Sequence, residues 1–340
     1  MEPINVGIIN VTGYIGIDLA RLLHQHPGVN LVSVTGRSAA GEKLENIFSH
    51  MKGINLDITP ELGNVDLAFS ALPHAASAEA VARALEQDIK VIDISADFRL
   101  KDVKVYEEWY KVTHPTPELL DEAVFGLPEL NRSRIARARL VANPGCYPTS
   151  AILALAPAVK ENLAEPDIVV DSKSGLSGAG RTLTMTTHFA EANESVSAYA
   201  LSGHRHMPEI RQELQNLGGD QVVSLTFIPH LVPMTRGMMS SCYAKLNKDI
   251  SAQKVKEVYQ EFYRDEPFVR VVDNPPQTKH TLGSNFCLVY PTVDPRTGRL
   301  IVISCIDNLV KGGAGQAIQN MNLMLGLPET AGLEQIAIFP

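Results

Sequence analysis

The residues best placed to do chemistry lie in VANPGCYPTSAILALAPAV, residues 141–159, where Cys146 follows a Pro144-Gly145 turn and precedes an apolar run. Pro148 suits the first turn of a helix, and Ser150 begins a helix expected over 150–162. A thiol at a helix N-terminus has a depressed pKa, because the helix dipole and its N–H groups favour thiolate. The same N–H groups can hold an oxyanion on a substrate carbonyl. Cys242, Cys287 and Cys305 fall inside apolar strand runs, where inert core thiols belong, so Cys146 reads as a nucleophile rather than a small core residue. His204 and His206, in GHRHMPEI, stand two apart in a lead-in expected to be extended before Pro208, which points both rings one way. Either could be the acid/base that a thiol-based carbonyl chemistry needs, and His204 is the preferred choice. Arg181 and Arg236 could hold a phosphate or carboxylate, or be surface charges, and Tyr199 could line the same pocket.

A second group has cofactor chemistry. Asn10-Val-Thr12-Gly13-Tyr14-Ile15-Gly16 joins an apolar strand to a helix, as a turn that cradles a pyrophosphate does. Asn10 replaces the first glycine, and Asn tolerates the left-handed conformation that position requires. At the end of the next strand no acidic residue appears; Arg37 and Ser38 stand there and suit a ribose 2′-phosphate, hence NADP rather than NAD. Leu72 and Pro73, then Asp97 and Arg99, follow two further strands, where open α/β sheets place ligands. Asp97 and Arg99 could equally pair to fix a loop.

These groups need a scaffold to position them. Runs at 4–10, 30–36, 65–72, 89–95 and 138–145 read as strands, separated by helical patterns such as 16–27. The pattern is α/β: a Rossmann-type doubly wound sheet. After Cys146 longer β-rich runs (DIVVDSKSG, QVVSLTFIPHLVPM, GMMSSCYAKL, FCLVYPTV, RLIVISCID) suggest an α+β domain with a mixed or antiparallel sheet. The expected division is 1–145, completed by a C-terminal helix 307–340, and 146–306 for catalysis and oligomerisation. If that helix packs back, Asn308 could bond a nicotinamide amide. The 340 residues suffice for two cores. A net charge of −8 without a basic block argues against nucleic acid or a membrane surface. Scattered cysteines with no Cys/His cluster suggest a reduced, cytoplasmic protein without a structural metal.

Asn143-Pro-Gly-Cys146-Tyr-Pro-Thr resembles the active-site signature of the N-acetyl-γ-glutamyl-phosphate reductases. Ser95-Ala-Asp-Phe-Arg-Leu100, Phe125-Gly-Leu-Pro-Glu129, Ser177-Gly178-Ala-Gly-Arg181 and Gly203-His-Arg-His-Met-Pro-Glu-Ile210 resemble the same family in the same order. The resemblance implies a Rossmann domain, a catalytic domain like that of aspartate-semialdehyde dehydrogenase, and a homo-oligomer, dimer or tetramer. It implies a small-molecule acyl phosphate reduced with NADPH through a Cys146 thioester in arginine synthesis. It also brings Asn143 to the substrate, and Ser177 and Gly178 to the cofactor. Two rivals stay open: a reductase of carrier-linked aminoadipyl phosphate in lysine synthesis, and a nonenzymatic NADP-binding sensor or scaffold.

Overall fold

In the computed structural model, which describes residues 4–219 and 223–340, the strands form two seven-stranded sheets, each in its own compact unit. The first unit comprises residues 1–144 and 313–334; the second comprises 145–312 and 335–340. Residues 307–312 and 335–340 therefore group with the second unit.

In the first unit the strands are β1 (Ile4–Ile9), β2 (Val29–Thr35), β3 (Ile58–Thr59), β4 (Leu67–Ser70), β5 (Lys90–Asp93), β6 (Val124–Phe125) and β7 (Leu140–Ala142). All pair in parallel in the order β3-β2-β1-β4-β5-β7-β6. The inner strands are buried on both faces, as helix-covered parallel strands must be: every residue of β4 is buried. Val81 and Leu85 of helix Ala78–Glu86 pack with Ala68, Val91, Phe98 and Leu140 in one apolar cluster. The strand order runs outward in opposite directions from β1 and β4, which makes their carboxyl ends the crevice where such sheets bind ligands. Helix Gly315–Met324 belongs to this unit, and Asn320 donates to Gly126 O and to Asn143 Oδ1.

In the second unit the strands are β8 (Ala164–Gly175), β9 (Ser197–Ala198), β10 (Ser224–Val232), β11 (Met238–Leu246), β12 (Val269–Val271), β13 (Cys287–Val293) and β14 (Arg299–Ile306). Their order is β12-β13-β14-β11-β8-β10-β9, with parallel and antiparallel pairs mixed. Gln221 and Val222, at the start of the run expected to form β10, lie outside the described residues. Burial alternates along β8: Ile168, Val170 and Ser172 are buried while Val169, Asp171 and Lys173 are half-exposed. The buried face carries helices Cys146–Lys160 and Ala252–Phe262. Tyr259 of the second helix and Tyr263, just past its end, donate to Ala154 O and Leu153 O of the first, at 2.8 and 2.6 Å.

Two sequence expectations need correction. The apolar helix runs from Cys146 to Lys160 rather than 150–162. Pro148 needs no N–H partner in a first turn, so the helix starts at the cysteine. The His204–His206 segment is a turn, not an extended lead-in: His204 Nδ1 accepts the His206 N–H at 3.0 Å, which curls the chain into helix Met207–Gly218.

Candidate active site

Cys146 is the first residue of its helix, and no side chain caps that end. Gly145 takes the N-cap position with an extended backbone, and its carbonyl accepts both the Thr149 N–H (2.9 Å) and the Thr149 hydroxyl (3.0 Å). The Gly145 N–H donates to Glu209 Oε1 at 2.8 Å; Glu209 is buried in the first turn of helix Met207–Gly218. One bond thus ties the start of the Cys146 helix to the start of the helix that follows the histidines. On the other side Gly312, in the π-helical turn Val310–Ala314, packs so closely that a Cβ there would sit 2.7 Å from the Cys146 Cβ. Cys146 is half-buried, and the other three cysteines are fully buried. Burial pushes the Cys242 and Cys305 thiols well up, as inert core positions require.

The histidines meet in an aromatic cluster. The rings of His204 and His206 lie 4.9 Å apart, and Tyr147 packs edge-on against both at 5.6 and 5.9 Å. Tyr147 donates its hydroxyl to His230 O (3.1 Å), and Tyr199 donates to Tyr147 (3.2 Å). Each phenol has one hydrogen, so the Tyr199 oxygen is left to accept from His204 Nε2, at 3.4 Å. Nδ1 is already an acceptor, so the imidazole is neutral with its proton on Nε2. Burial first, and the Arg205 charge second, lower its pKa to about 4, in agreement with the hydrogen bonding. A charge on Cys146 acts on both Tyr147 and Tyr199, which puts thiol, phenols and imidazole in one site.

The expected anion-holding residues divide. The Arg236 guanidinium is paired with the fully buried Asp307, at 3.1 Å, and Asp307 also accepts from Leu309 N and Gly283 N. Asn308 spans Gly237 N and the Ser177 hydroxyl, at 2.8 and 3.0 Å, so both ends of its amide shape the loops around Gly178. Arg181 is exposed. In the first unit Arg99 is buried and donates to Asn143 O and Ile94 O, at 2.8 and 2.9 Å, fixing the strand end that leads to Cys146. Asn143 is itself fully buried and donates to Gly313 O. Asp97 accepts from Ala75, Ser77 and Ala78 N–H groups, and His74 Nδ1 from Ala96 N. These are loop-fixing contacts.

The glycine-rich turn of the first unit has the shape a pyrophosphate needs. Asn10 adopts φ +70°, the left-handed conformation of the missing glycine, and its amide donates to Ala71 O at 2.9 Å. Gly16 is required by packing: a Cβ there would lie 2.6 Å from Asn10 O. Over Gly13 there is open space, and helix Tyr14–His24 begins with no capping side chain, so its N-terminus faces that space. Thr12 approaches Gly36, which sets the exposed Arg37 and Ser38 beside the turn. Ala71 N bonds Ile9 O, bringing Leu72 and Pro73 to the same crevice. The residues present fit a dinucleotide.

Comparison with known proteins agrees. Residues 5–138 match the model of the semialdehyde dehydrogenase NAD binding domain, and 146–308 that of the semialdehyde dehydrogenase dimerisation domain. A protein of Dehalococcoides mccartyi named N-acetyl-gamma-glutamyl-phosphate reductase is 58% identical over 341 residues, covering 100% of both chains. One so named from Pelotomaculum thermopropionicum is 49% identical over 346 residues, covering 99% of each. The chain belongs to the N-acetyl-gamma-glutamyl-phosphate reductase family. Its fold is shared with a Vibrio cholerae aspartate semialdehyde dehydrogenase II at TM-score 0.73 and 18% identity, over 96% of this chain and 99% of that one. A Candida albicans aspartate semialdehyde dehydrogenase solved with NADP gives TM-score 0.71 at 14% identity, over 95% and 99%. Within this reductase family the chain is an oxidoreductase with a nicotinamide-binding domain. Among the described residues no helix is long and apolar enough to cross a membrane.

Three contributors to the site had no role assigned from sequence. Glu209 and Tyr147 sit inside quoted motifs, and a carboxylate one residue past Pro208 is a first-turn signal that could have pointed to helix-start chemistry. Gly312 gave none, since its importance is a close approach across 166 residues of sequence.

Proposed function

We propose that this reductase converts N-acetyl-γ-glutamyl phosphate to N-acetylglutamate semialdehyde with NADPH, a step of arginine synthesis, and that a homo-oligomer in the cytoplasm does so. The observation that carries the chemistry is Cys146 at the uncapped start of its helix, sharing a site with a neutral His204. The Cys146 thiolate adds to the acyl carbonyl, the C–O bond to phosphate breaks, and a thioester remains. Helix N–H groups favour the thiolate before attack and the oxyanion during it. A bound nicotinamide supplies the hydride that reduces this thioester. His204, neutral at rest, takes up a proton to become the imidazolium, gives it to the hemithioacetal oxygen as that oxygen forms, and takes it back as the C–S bond breaks to release the aldehyde. His206 borders the same ring cluster and holds substrate. Arg37 and Ser38 select the 2′-phosphate beside the glycine-rich turn, with Asn10, Thr12, Gly13, Tyr14, Ile15 and Gly16 around the pyrophosphate.

The division of labour follows the sequence reading: residues 1–145 bind the cofactor and 146–306 carry the catalysis. The test is phosphate-dependent reduction of NADP with N-acetylglutamate semialdehyde, beside aspartate and aminoadipate semialdehydes. Turnover confined to the first aldehyde, and abolished in Cys146→Ala with NADPH binding retained, is the expected result. A preference for the aminoadipate compound reassigns the substrate, and activity in Cys146→Ala removes the thioester.

A further inference from the structure

Tyr147 follows Cys146 in the chain and is buried, with its ring among those of His204, His206 and Phe227. Its hydroxyl donates to His230 O at 3.1 Å. A carbonyl only accepts, so this bond uses the single phenolic hydrogen of Tyr147. Burial pushes the Tyr147 phenol well up and Tyr199 to about 12, so both keep their hydrogens at neutral pH. Tyr199, 3.2 Å from Tyr147, must therefore give its hydrogen to Tyr147 and turn a lone pair to His204 Nε2, 3.4 Å away. Strand β10 holds both phenols: Pro229 O accepts the Tyr199 N–H at 3.1 Å, and the next carbonyl, His230 O, accepts the Tyr147 hydroxyl. On the far side of the imidazole, Nδ1 accepts the His206 N–H. The series thus begins at a backbone N–H and ends at a backbone carbonyl, and each hydrogen in it has one place.

We propose that Tyr147 is a positioning residue: its hydroxyl, aimed by His230 O, keeps the resting proton of His204 on Nε2. The inference rests on the reading of His204 as acid/base given above. Remove the Tyr147 hydroxyl, and of the two groups that the Tyr199 hydroxyl touches only Nε2 is left to accept its hydrogen. That bond needs an unprotonated Nε2, which moves the ring proton to Nδ1, where the His206 N–H already points. Neither tautomer then satisfies both neighbours, and the ring divides between them. The chain neighbour of Cys146 thereby decides which nitrogen of His204 carries the resting proton.

Nitrogen-15 NMR of histidine-labelled protein tests this on wild type, Tyr147→Phe, Tyr199→Phe and the double variant, with His204→Asn to assign the His204 signals. Wild type is expected to show the Nε2–H tautomer alone at neutral pH. Tyr147→Phe should show both tautomers, with KM little changed and kcat lower by roughly tenfold, part of the 10²–10⁴ that an acid/base supplies. Tyr199→Phe should show Nε2–H alone. The double variant should return to it, because the competing hydrogen is gone and the His206 N–H still holds Nδ1. A Tyr147 that only packs the ring cluster cannot produce this reversal. A single Nε2–H tautomer in Tyr147→Phe, or mixed tautomers that persist in the double variant, overturns the proposal. Mixed tautomers in Tyr147→Phe with kcat unchanged support it and remove instead the acid/base reading of His204.

Discussion

His204 shows how hydrogen bonding and burial fix one residue's chemistry. Its Nδ1 is spent on the His206 N–H and its Nε2 proton faces Tyr199, so the neutral ring is the resting form. Its pKa of about 4 lies below the free value of 6.5, so the unfolded chain takes a proton that the folded chain refuses between those values. Stability therefore falls as pH drops from about 6.5 toward 4, and an activity limb set by this ring appears near 4 rather than near 6.5. Denaturant melts and kcat/KM from pH 4 to 8 check both, and His204→Asn should flatten the first and lower kcat about 10²–10⁴-fold. A limb at 6.5 in wild type would transfer the proton role to another group. The partner proposed for Arg37 is the cofactor's 2′-phosphate. Arg37→Ala removes a charge-assisted contact of about 1.5–3 kcal/mol, weakening NADPH roughly 10- to 150-fold and NADH little. Isothermal titration with both cofactors reads this directly, and an equal loss for both would make Arg37 structural.

At the scale of elements, two close approaches position Cys146. Gly312 touches the Cys146 Cβ, and a methyl group there cannot fit unless the helix start moves. Gly312→Ala should lower kcat by about 10²-fold, since displacing a reacting atom by an ångström costs that much. Loss of iodoacetamide labelling at Cys146 without global unfolding would locate the effect, whereas unchanged kcat would show that the π-helical turn yields. Glu209 is the second contact. Glu209→Ala strands the buried Gly145 N–H, costing about 1–3 kcal/mol and misplacing Cys146. Glu209→Gln keeps an acceptor oxygen and should recover most of kcat. If Gln proves as damaging as Ala, the carboxylate charge matters more than the bond.

For the whole molecule the cofactor is a folding ligand. NADPH at about 100 times its Kd should raise stability by about 2.7 kcal/mol, with no such shift from NADH at the same concentration. A thermal shift of equal size for both would count against the 2′-phosphate reading of Arg37 and Ser38. The gain belongs to the first unit, where the glycine-rich turn lies, so proteolysis should report protection there first.

The chain's own letters determined the parallel sheet, because alternating short apolar strands and helical patterns have few other packings. They also marked Cys146, since Pro-Gly before it and an apolar run after it are local signals of a helix start. Asn10 at φ +70° followed from its place in the glycine-rich turn and a residue type that tolerates that conformation. What local pattern could not reach are the relations between distant segments. The pairing of Arg236 with Asp307 and the bridging of Ser177 and Gly237 by Asn308 join segments that no local pattern links. The turn that sets His204 edge-on to His206 arose from one side chain accepting an N–H two residues on, which hydrophobic periodicity does not encode. Periodicity records which face of an element is buried; only tertiary structure decides what that face is buried against, and hence where each hydrogen bond goes.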